Sequence, residues 1–290
     1  MRQLKLLSRL IVAASVLVSV NAVADQAAVM PMKTLPVNIK SVVPVAVPLA
    51  PLTAAQKGQI DQEIRAYLMA NPEILIEISQ QLQAKQQQAV IDKANKVIPA
   101  NASLLAHDAM SPVAGNALGP VAVVEFFDYQ CPHCKTMVPA LDALILANKN
   151  VRIVYKEMPI FGPESEFASR AALAANKQAK YQAFHRALMK TTGRLTDQQI
   201  LDIAKSVGLD VNKMQAVMNS PEISKELQST GQLTQQLGLP GTPGFVILTD
   251  TAGKVVFRFI PGQTTQALLQ QAVTEVVAPV AVKTMPAKTI

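Results

Sequence analysis

The sequence predicts an α/β domain preceded by a separate helical segment, and three observations carry that prediction. Residues 121–127 read Val-Ala-Val-Val-Glu-Phe-Phe, a near-continuous apolar run of the kind a strand covered on both faces requires. From Cys134, the positions Met137, Leu141, Leu144 and Ile145 keep a helical spacing, and residues 151–155 read as a second strand, which makes a strand–helix–strand unit. Upstream, residues 53–96 hold two amphipathic stripes that a polar stretch separates from this unit.

The chain opens with the pattern of an export signal over residues 1–24. Arg2, Lys5 and Arg9 precede a short apolar run, and Ala22-Val23-Ala24 offers a small-x-small cleavage site before Asp25. The apolar run, residues 10–20, is too short for the roughly 20 residues of a bilayer span, so cleavage is expected rather than a retained anchor. No later segment is long enough to cross a bilayer. Export, to a periplasm, is therefore the expected localisation, a compartment in which disulfides persist. Cleavage removes three positive charges and no acid, so the formal charge falls from +7 to +4. That charge is mild and spread, with no Arg/Lys stripe interleaved with aromatics, and gives no case for nucleic acid as a partner. With 290 residues, half of them hydrophobic and 16% charged, the chain can bury a full core in one or two domains. This composition excludes disordered, collagen-like and disulfide-caged classes. Tryptophan is absent, so an exposed binding groove must be built from Phe, Tyr, Met and aliphatic residues.

Residues 25–52, with Pro31, Pro36, Pro44, Pro48 and Pro51, read as a Pro/Val/Ala-rich arm. Residues 53–98 read as a helical segment. Thr53 caps a first helix with the stripe Ile60, Ile64, Tyr67 and Leu68, and Asn71-Pro72 ends it and starts the next, with the stripe Ile74, Leu75, Ile78 and Leu82. Two short helices cannot bury such stripes alone. They cover their own body or another copy of the chain, and the arm and polar linker around them favour an oligomerisation segment, in a dimer or a trimer.

Residues 99–120 are polar and read as loop, ahead of the strand at 121–127. After the second strand, a helical insertion over about 163–238 is expected, with helices at 167–190, at 196–207 and from 216 onward, broken near Asp210 and at Ser220-Pro221. A hairpin follows, 245–248 and 255–259 around the turn 250–253, then a closing helix at 265–277, so the main domain spans 99–278. The tail, 279–290, is again Pro/Val/Ala/Lys-rich and expected to be disordered. No internal repeat is visible.

Both cysteines of the chain lie in one run, Cys131-Pro132-His133-Cys134. A disulfide closing so short a loop removes almost no unfolded-state entropy and is a poor staple, which favours chemistry over structure. A structural zinc site needs about four ligands, and His107 and His185 lie in unrelated segments. A c-type haem needs His directly after the second Cys, where this chain has Lys135. A cysteine between a strand and a helix sits where unsatisfied N–H groups and the helix dipole favour an anion. His133 adds a donor or a positive charge to the same thiolate, and Pro132 holds the turn. Stabilising the thiolate makes the disulfide the worse ground state, so the pair is oxidising.

The segment Glu125-Phe-Phe-Asp-Tyr-Gln-Cys131-Pro-His-Cys134 resembles the active-site strand and helix start of DsbA-type thioredoxin-fold oxidoreductases, and Gly241-Thr242-Pro243-Gly244-Phe245 resembles the loop that carries their cis-proline. The resemblance covers about residues 115–278. It implies an α/β thioredoxin fold with a helical insertion, and a thiol:disulfide oxidoreductase with no cofactor beyond its own redox disulfide and no metal. By position it implies Cys131 as nucleophile and Cys134 as resolving thiol. Glu125 is then a buried acid beneath the disulfide that relays a proton, with Lys156 as its charged partner. Pro243 is expected to be cis, with the Thr242 main chain free to pair with a substrate strand. The implied partners are exported cysteine-containing proteins and a membrane protein that reoxidises or reduces the pair. Residues 67–75, Tyr-Leu-Met-Ala-Asn-Pro-Glu-Ile-Leu, resemble the oligomerisation segment of suppressor-of-copper-sensitivity-type proteins, and a Thr before the cis-proline is common in disulfide isomerases. A different class, a chaperone or surface binding protein in which redox chemistry is secondary, is separated by asking whether function survives Cys131→Ser.

Overall fold

A computed structural model describes residues 51–251 and 254–277. The signal segment, nearly all of the Pro/Val/Ala-rich arm, the tip of the expected hairpin turn and the C-terminal tail lie outside the described residues. The chain divides into two units, residues 1–61 and 62–290. The described part of the first holds the start of helix α1 (Ala54–Ala70), where the Gln56 N–H donates to Thr53 Oγ1 at 3.3 Å, the cap expected of a threonine there.

The second unit continues with α2 (Glu73–Val97), a single 3-10 turn (Pro99–Asn101), α3 (Ala102–Ala106), β1 (Val113–Gly115), β2 (Val121–Phe127), α4 (Pro132–Ala147) and β3 (Val151–Glu157). The helical insertion is α5 (Pro163–Asn176), α6 (Tyr181–Met189), α7 (Asp197–Ser206), α8 (Val211–Met218) and α9 (Pro221–Leu237). Strands β4 (Gly244–Thr251) and β5 (Lys254–Ile260) and helix α10 (Gln266–Val277) close the fold. The sheet order is β1-β3-β2-β4-β5; β2 and β3 are parallel and every other pair is antiparallel.

Strand β2 is central, and every one of its residues is buried because both faces of the sheet are covered. Val121, Val123 and Phe127 face a core with Leu141 and Leu144 of α4, Phe184 of α6 and Val273 of α10. Ala122, Val124 and Phe126 face the other core, with Ala94 of α2, Leu105 of α3 and Leu233 and Leu237 of α9. Local chemistry sets the helix ends of the insertion. Thr196 and Gln199 form a capping box on α7, and Ser220 caps α9 with Pro221 at its first position. Gly238 ends α9 in the left-handed region at φ 70°, where a side chain would be strained.

Three expectations differ from this architecture. The stretch 99–120 is not all loop: it holds the 3-10 turn, α3 and the three-residue edge strand β1, elements too short to show a period in sequence. The single helix expected over 167–190 is two, because Ala179 takes φ 54° and the chain turns there without Gly or Pro to announce it. The helical segment 53–98 does not stand wholly apart from the body, since Ala94 and Ile98 belong to the second core, while the stripe residues Leu75, Ile78 and Leu82 are exposed.

Candidate active site

Cys131 is the N-cap of α4, and Pro132 occupies the first helical position, where its missing N–H is no loss. The Cys134 N–H donates to Cys131 Sγ at 3.4 Å, and the Cys131 thiol donates to the Thr242 carbonyl at 3.3 Å. Thr242 precedes Pro243 through a cis peptide bond at the entry to β4. Both cysteines are free thiols and both are buried. The Cys134 thiol, above all, then the Thr242 side chain and the main-chain N–H groups of Cys134 and His133, pull the Cys131 thiol down to about 5, against the opposing effect of burial. The same hydrogen bond between the thiols, together with burial, pushes Cys134 far up, so Cys134 keeps its proton while Cys131 is a thiolate. The His133 side chain itself is exposed, and the share of His133 in holding the sulfur is its main-chain N–H.

Glu125 is the one charged residue of β2 and lies 1% exposed on the α4 side of the sheet. Its Oε1 has no hydrogen-bond partner among the described residues. Burial first, then the charges of Glu157 and Cys131, push its carboxyl up to about 8. Cys134 is sensitive to the same carboxylate, which helps to hold its thiol protonated.

Lys156 does not meet Glu125. On β3 it is in register with Phe126, whereas Glu125 is in register with Tyr155, so the two side chains project to opposite faces of the sheet. Lys156 Nζ instead lies 2.5 Å from Asp108 Oδ2 and 3.3 Å from Glu226 Oε1, fully buried. The alternation of strand residues, displaced by one position, overturns the expected pairing.

Several buried residues carry no sequence signal of their own. Asp128 accepts from the N–H groups of Gln130 and Ile160, each at 2.7 Å, from the Phe161 N–H at 3.1 Å and from Ser165 Oγ at 2.7 Å, and so ties the loop before Cys131 to the loop after β3. Glu157, Tyr129, Tyr181, Ser169 and His185 form a hydrogen-bonded cluster under the same loop. Only the Asp-Tyr pair directly before Gln130-Cys131 marks this region in the sequence. An open groove of about 700 Å³, lined by Gln130, Pro132, Lys135, Phe161, Thr191 and Arg194 among others, runs beside the cysteines. Among the described residues, no group of three or more His, Cys, Asp or Glu is placed to hold a metal ion.

The model of the DSBA-like thioredoxin domain matches residues 122–274, which are 153 of the chain's 290 residues. The chain belongs to that family. The model of the copper resistance protein ScsC N-terminal domain matches residues 56–89, on α1 and α2. Among curated relatives, the thiol:disulfide interchange protein DsbA of Burkholderia cepacia is 29% identical over 142 residues, covering 47% of this chain and 66% of that protein. A Na(+)/H(+) antiporter NhaA 1 of Salinispora arenicola is 27% identical over 137 residues, but the chain spans only 21% of the antiporter's length. Among solved structures, a thioredoxin-like oxidoreductase from Silicibacter pomeroyi is 44% identical with a TM-score of 0.55, covering 59% of this chain and 95% of that one. Proteus mirabilis ScsC in a transitional conformation is 30% identical with a TM-score of 0.54, covering 77% of this chain and 98% of that one. A DsbA-like body with a ScsC-like N-terminal segment describes both ends of the match. The thioredoxin-like fold with a helical insertion is the architecture expected of that family.

Proposed function

We propose that this protein is an exported thiol:disulfide oxidoreductase that introduces disulfides into exported proteins, or reshuffles them there, with Cys131 and Cys134 as its redox pair. The observation that supports this most is geometric: Cys131 Sγ heads α4, takes the Cys134 N–H, and faces the Thr242 main chain before cis-Pro243. In the oxidised form, a substrate thiolate attacks Cys131 Sγ and the Cys131–Cys134 bond breaks. Cys134 leaves with the electron pair and takes a proton, which the buried Glu125 carboxyl supplies. A second substrate thiolate then attacks the substrate sulfur of the mixed disulfide, and Cys131 leaves as a stabilised thiolate. The substrate dithiol is oxidised by two electrons and the protein's disulfide is reduced. Thr242 offers main-chain pairing to the substrate strand, and the groove beside Pro132 takes the flanking chain.

This reading brings with it a periplasmic protein released from a signal over residues 1–24, an arm over 25–52, a homo-oligomerising segment over 53–98, a catalytic body over 99–278, and a free tail. It needs no cofactor other than the disulfide, and it needs a membrane redox partner to reset the pair. The test is oxidation of a reduced, unfolded disulfide protein. Cys131→Ser should abolish it, and Cys134→Ala, given the same protein in its disulfide-bonded form, should accumulate a mixed disulfide as the Cys131 thiolate attacks a substrate disulfide and the second substrate sulfur leaves as a thiolate. Full function with Cys131→Ser would instead mean a chaperone or binding role in which the thiols are secondary.

A further inference from the structure

The sheet carries a second buried acid beneath the thiols. Glu125 is in register with Tyr155 and Glu157 with Phe127, so the two acids are diagonal neighbours on one face of adjacent parallel strands. Each is 1% exposed. Their surroundings differ sharply. Glu157 Oε1 accepts from Tyr129 Oη at 3.0 Å and Tyr181 Oη at 2.8 Å, and its Oε2 accepts from Ser169 Oγ at 2.8 Å. Glu125 Oε1 has no such donor among the described residues.

We infer that Glu157 is a positioning residue for the proton on Glu125: held as an anion by three hydroxyl groups, it keeps the neighbouring Glu125 carboxyl protonated and ready to supply Cys134. The inference rests on the reading of Glu125 as the proton relay. Two carboxylates in one dry core do not ionise together, and the proton stays with the one whose anion is less well solvated. Burial pushes both carboxyls up to about 8, and for Glu157 the three hydroxyls work against that push. The hydrogen bonds around Glu157 are oriented for its anion. With Tyr129 donating to Glu157, the Tyr129 oxygen is left to accept from His185 Nδ1, 3.2 Å away. Burial pulls His185 down to about 3, so the ring is neutral and does not compensate the charge. Asp128, on the loop before Cys131, works against the Glu157 anion, as the Cys131 charge works against an anion at Glu125; at Glu157 three hydroxyl donors offset this, and Glu125 Oε1 has none among the described residues. No cation hydrogen-bonds to either acid among the described residues, Lys156 being on the other face.

The test is the rate at which a small dithiol reduces the Cys131–Cys134 disulfide of the mature protein, followed by rapid acid quench and alkylation across pH. Dividing the Glu157→Gln rate constant by the wild-type one cancels the ionisation of the dithiol. Without the Glu157 charge, Glu125 loses its proton at lower pH and Cys134 lacks its donor. The ratio should lie near one at about pH 6 and fall roughly fivefold by about pH 8.5. Ser169→Ala, which removes one donor and leaves the fold's hydrophobic contacts in place, should move the ratio the same way by less. Isotope-edited infrared spectra of the protonated carboxyl should show its loss at lower pH in Glu157→Gln, a readout that does not depend on activity. A ratio that is flat with pH in both variants, or an unmoved carboxyl band, would overturn the inference. Glu125→Gln separates the two readings. If its pH profile matches wild type, the relay itself fails; if it loses the alkaline fall while the Glu157→Gln ratio stays flat, only the role of Glu157 fails.

Discussion

The acidity of Cys131 comes mostly from the Cys134 thiol, which the reaction itself needs, and from the main-chain N–H groups of Cys134 and His133, which a side-chain substitution does not remove. Thr242 is the exception. Its side chain also pulls the Cys131 thiol down, and its buried hydroxyl has no hydrogen-bond partner among the described residues. Thr242→Val keeps the shape and deletes that hydroxyl, so the thiolate of Cys131 should appear at higher pH when its far-ultraviolet absorbance is titrated; an unmoved midpoint would mean the hydroxyl is idle. The same acidity fixes how stability depends on pH. A thiol near 5 in the folded reduced form, against an ordinary value of 9, contributes stability that is full above the ordinary value and lost as pH falls through the folded one. The oxidised form has no thiol to ionise, so the reduced protein should gain on it in thermal midpoint as pH rises from about 5 to about 9. Above that window the raised Cys134 thiol works in the opposite direction, because only the unfolded chain ionises it. The raised carboxyls of Glu125 and Glu157 are present in both forms, which is why the difference between forms is the quantity to measure. Of these residues, the cysteine pair and Glu125 are legible in sequence because they are adjacent along one strand and one turn. Glu157, Ser169, Tyr181 and His185 are not, because what joins them to Tyr129 is packing between segments tens of residues apart.

At the scale of elements, β2 explains both what was readable and what was not. Its apolar run announces a central strand, and a carboxylate within that run stands out. Strand β3 is buried on both faces as well, and so its side chains cannot be assigned to a face from polarity. The resemblance carries Lys156 to Glu125 by position alone, and polarity along β3 offers no check on its face; it is found beside Asp108 and Glu226. There it joins β3 to the loop after α3 and to α9, with Ser111 Oγ also donating to Glu226 at 3.1 Å. Burial raises the Glu226 carboxyl while Lys156 lowers it, and the pairing holds Asp108 below its ordinary range despite burial. Removing one partner of such a cluster leaves buried charge without compensation. Lys156→Ala should therefore cost about 3–5 kcal/mol in urea unfolding. If Lys156 is a brace rather than part of the thiol chemistry, the Cys131 thiolate titration should not move in the same variant. A shifted titration with unchanged stability would reverse that assignment.

For the whole chain, the open question is what covers the helices ahead of the body. Helix α1 buries none of its residues, and Ile64, Tyr67, Leu75, Ile78 and Leu82 are each more than half exposed, at 53%, 61%, 59%, 53% and 54%. Apolar side chains at that density are too costly to leave in water, and isolated helices of this kind are marginal there. The ScsC N-terminal domain match ends at residue 89, just before α2 turns from exposed to buried and places Ala94 and Ile98 in the core. That division gives two truncations with opposite outcomes. Deleting residues 25–89 should leave a folded body with a reactive Cys131 that sediments as a monomer, while the intact mature protein sediments as a dimer or a trimer at micromolar concentration. Deleting residues 25–98 also removes Ile98, which is fully buried, and should cost about a further 2–5 kcal/mol of stability, as large core truncations do. If the intact protein is itself a monomer, the exposed stripes are not an interface between copies. If both truncations are equally stable, the end of α2 does not belong to the body's core.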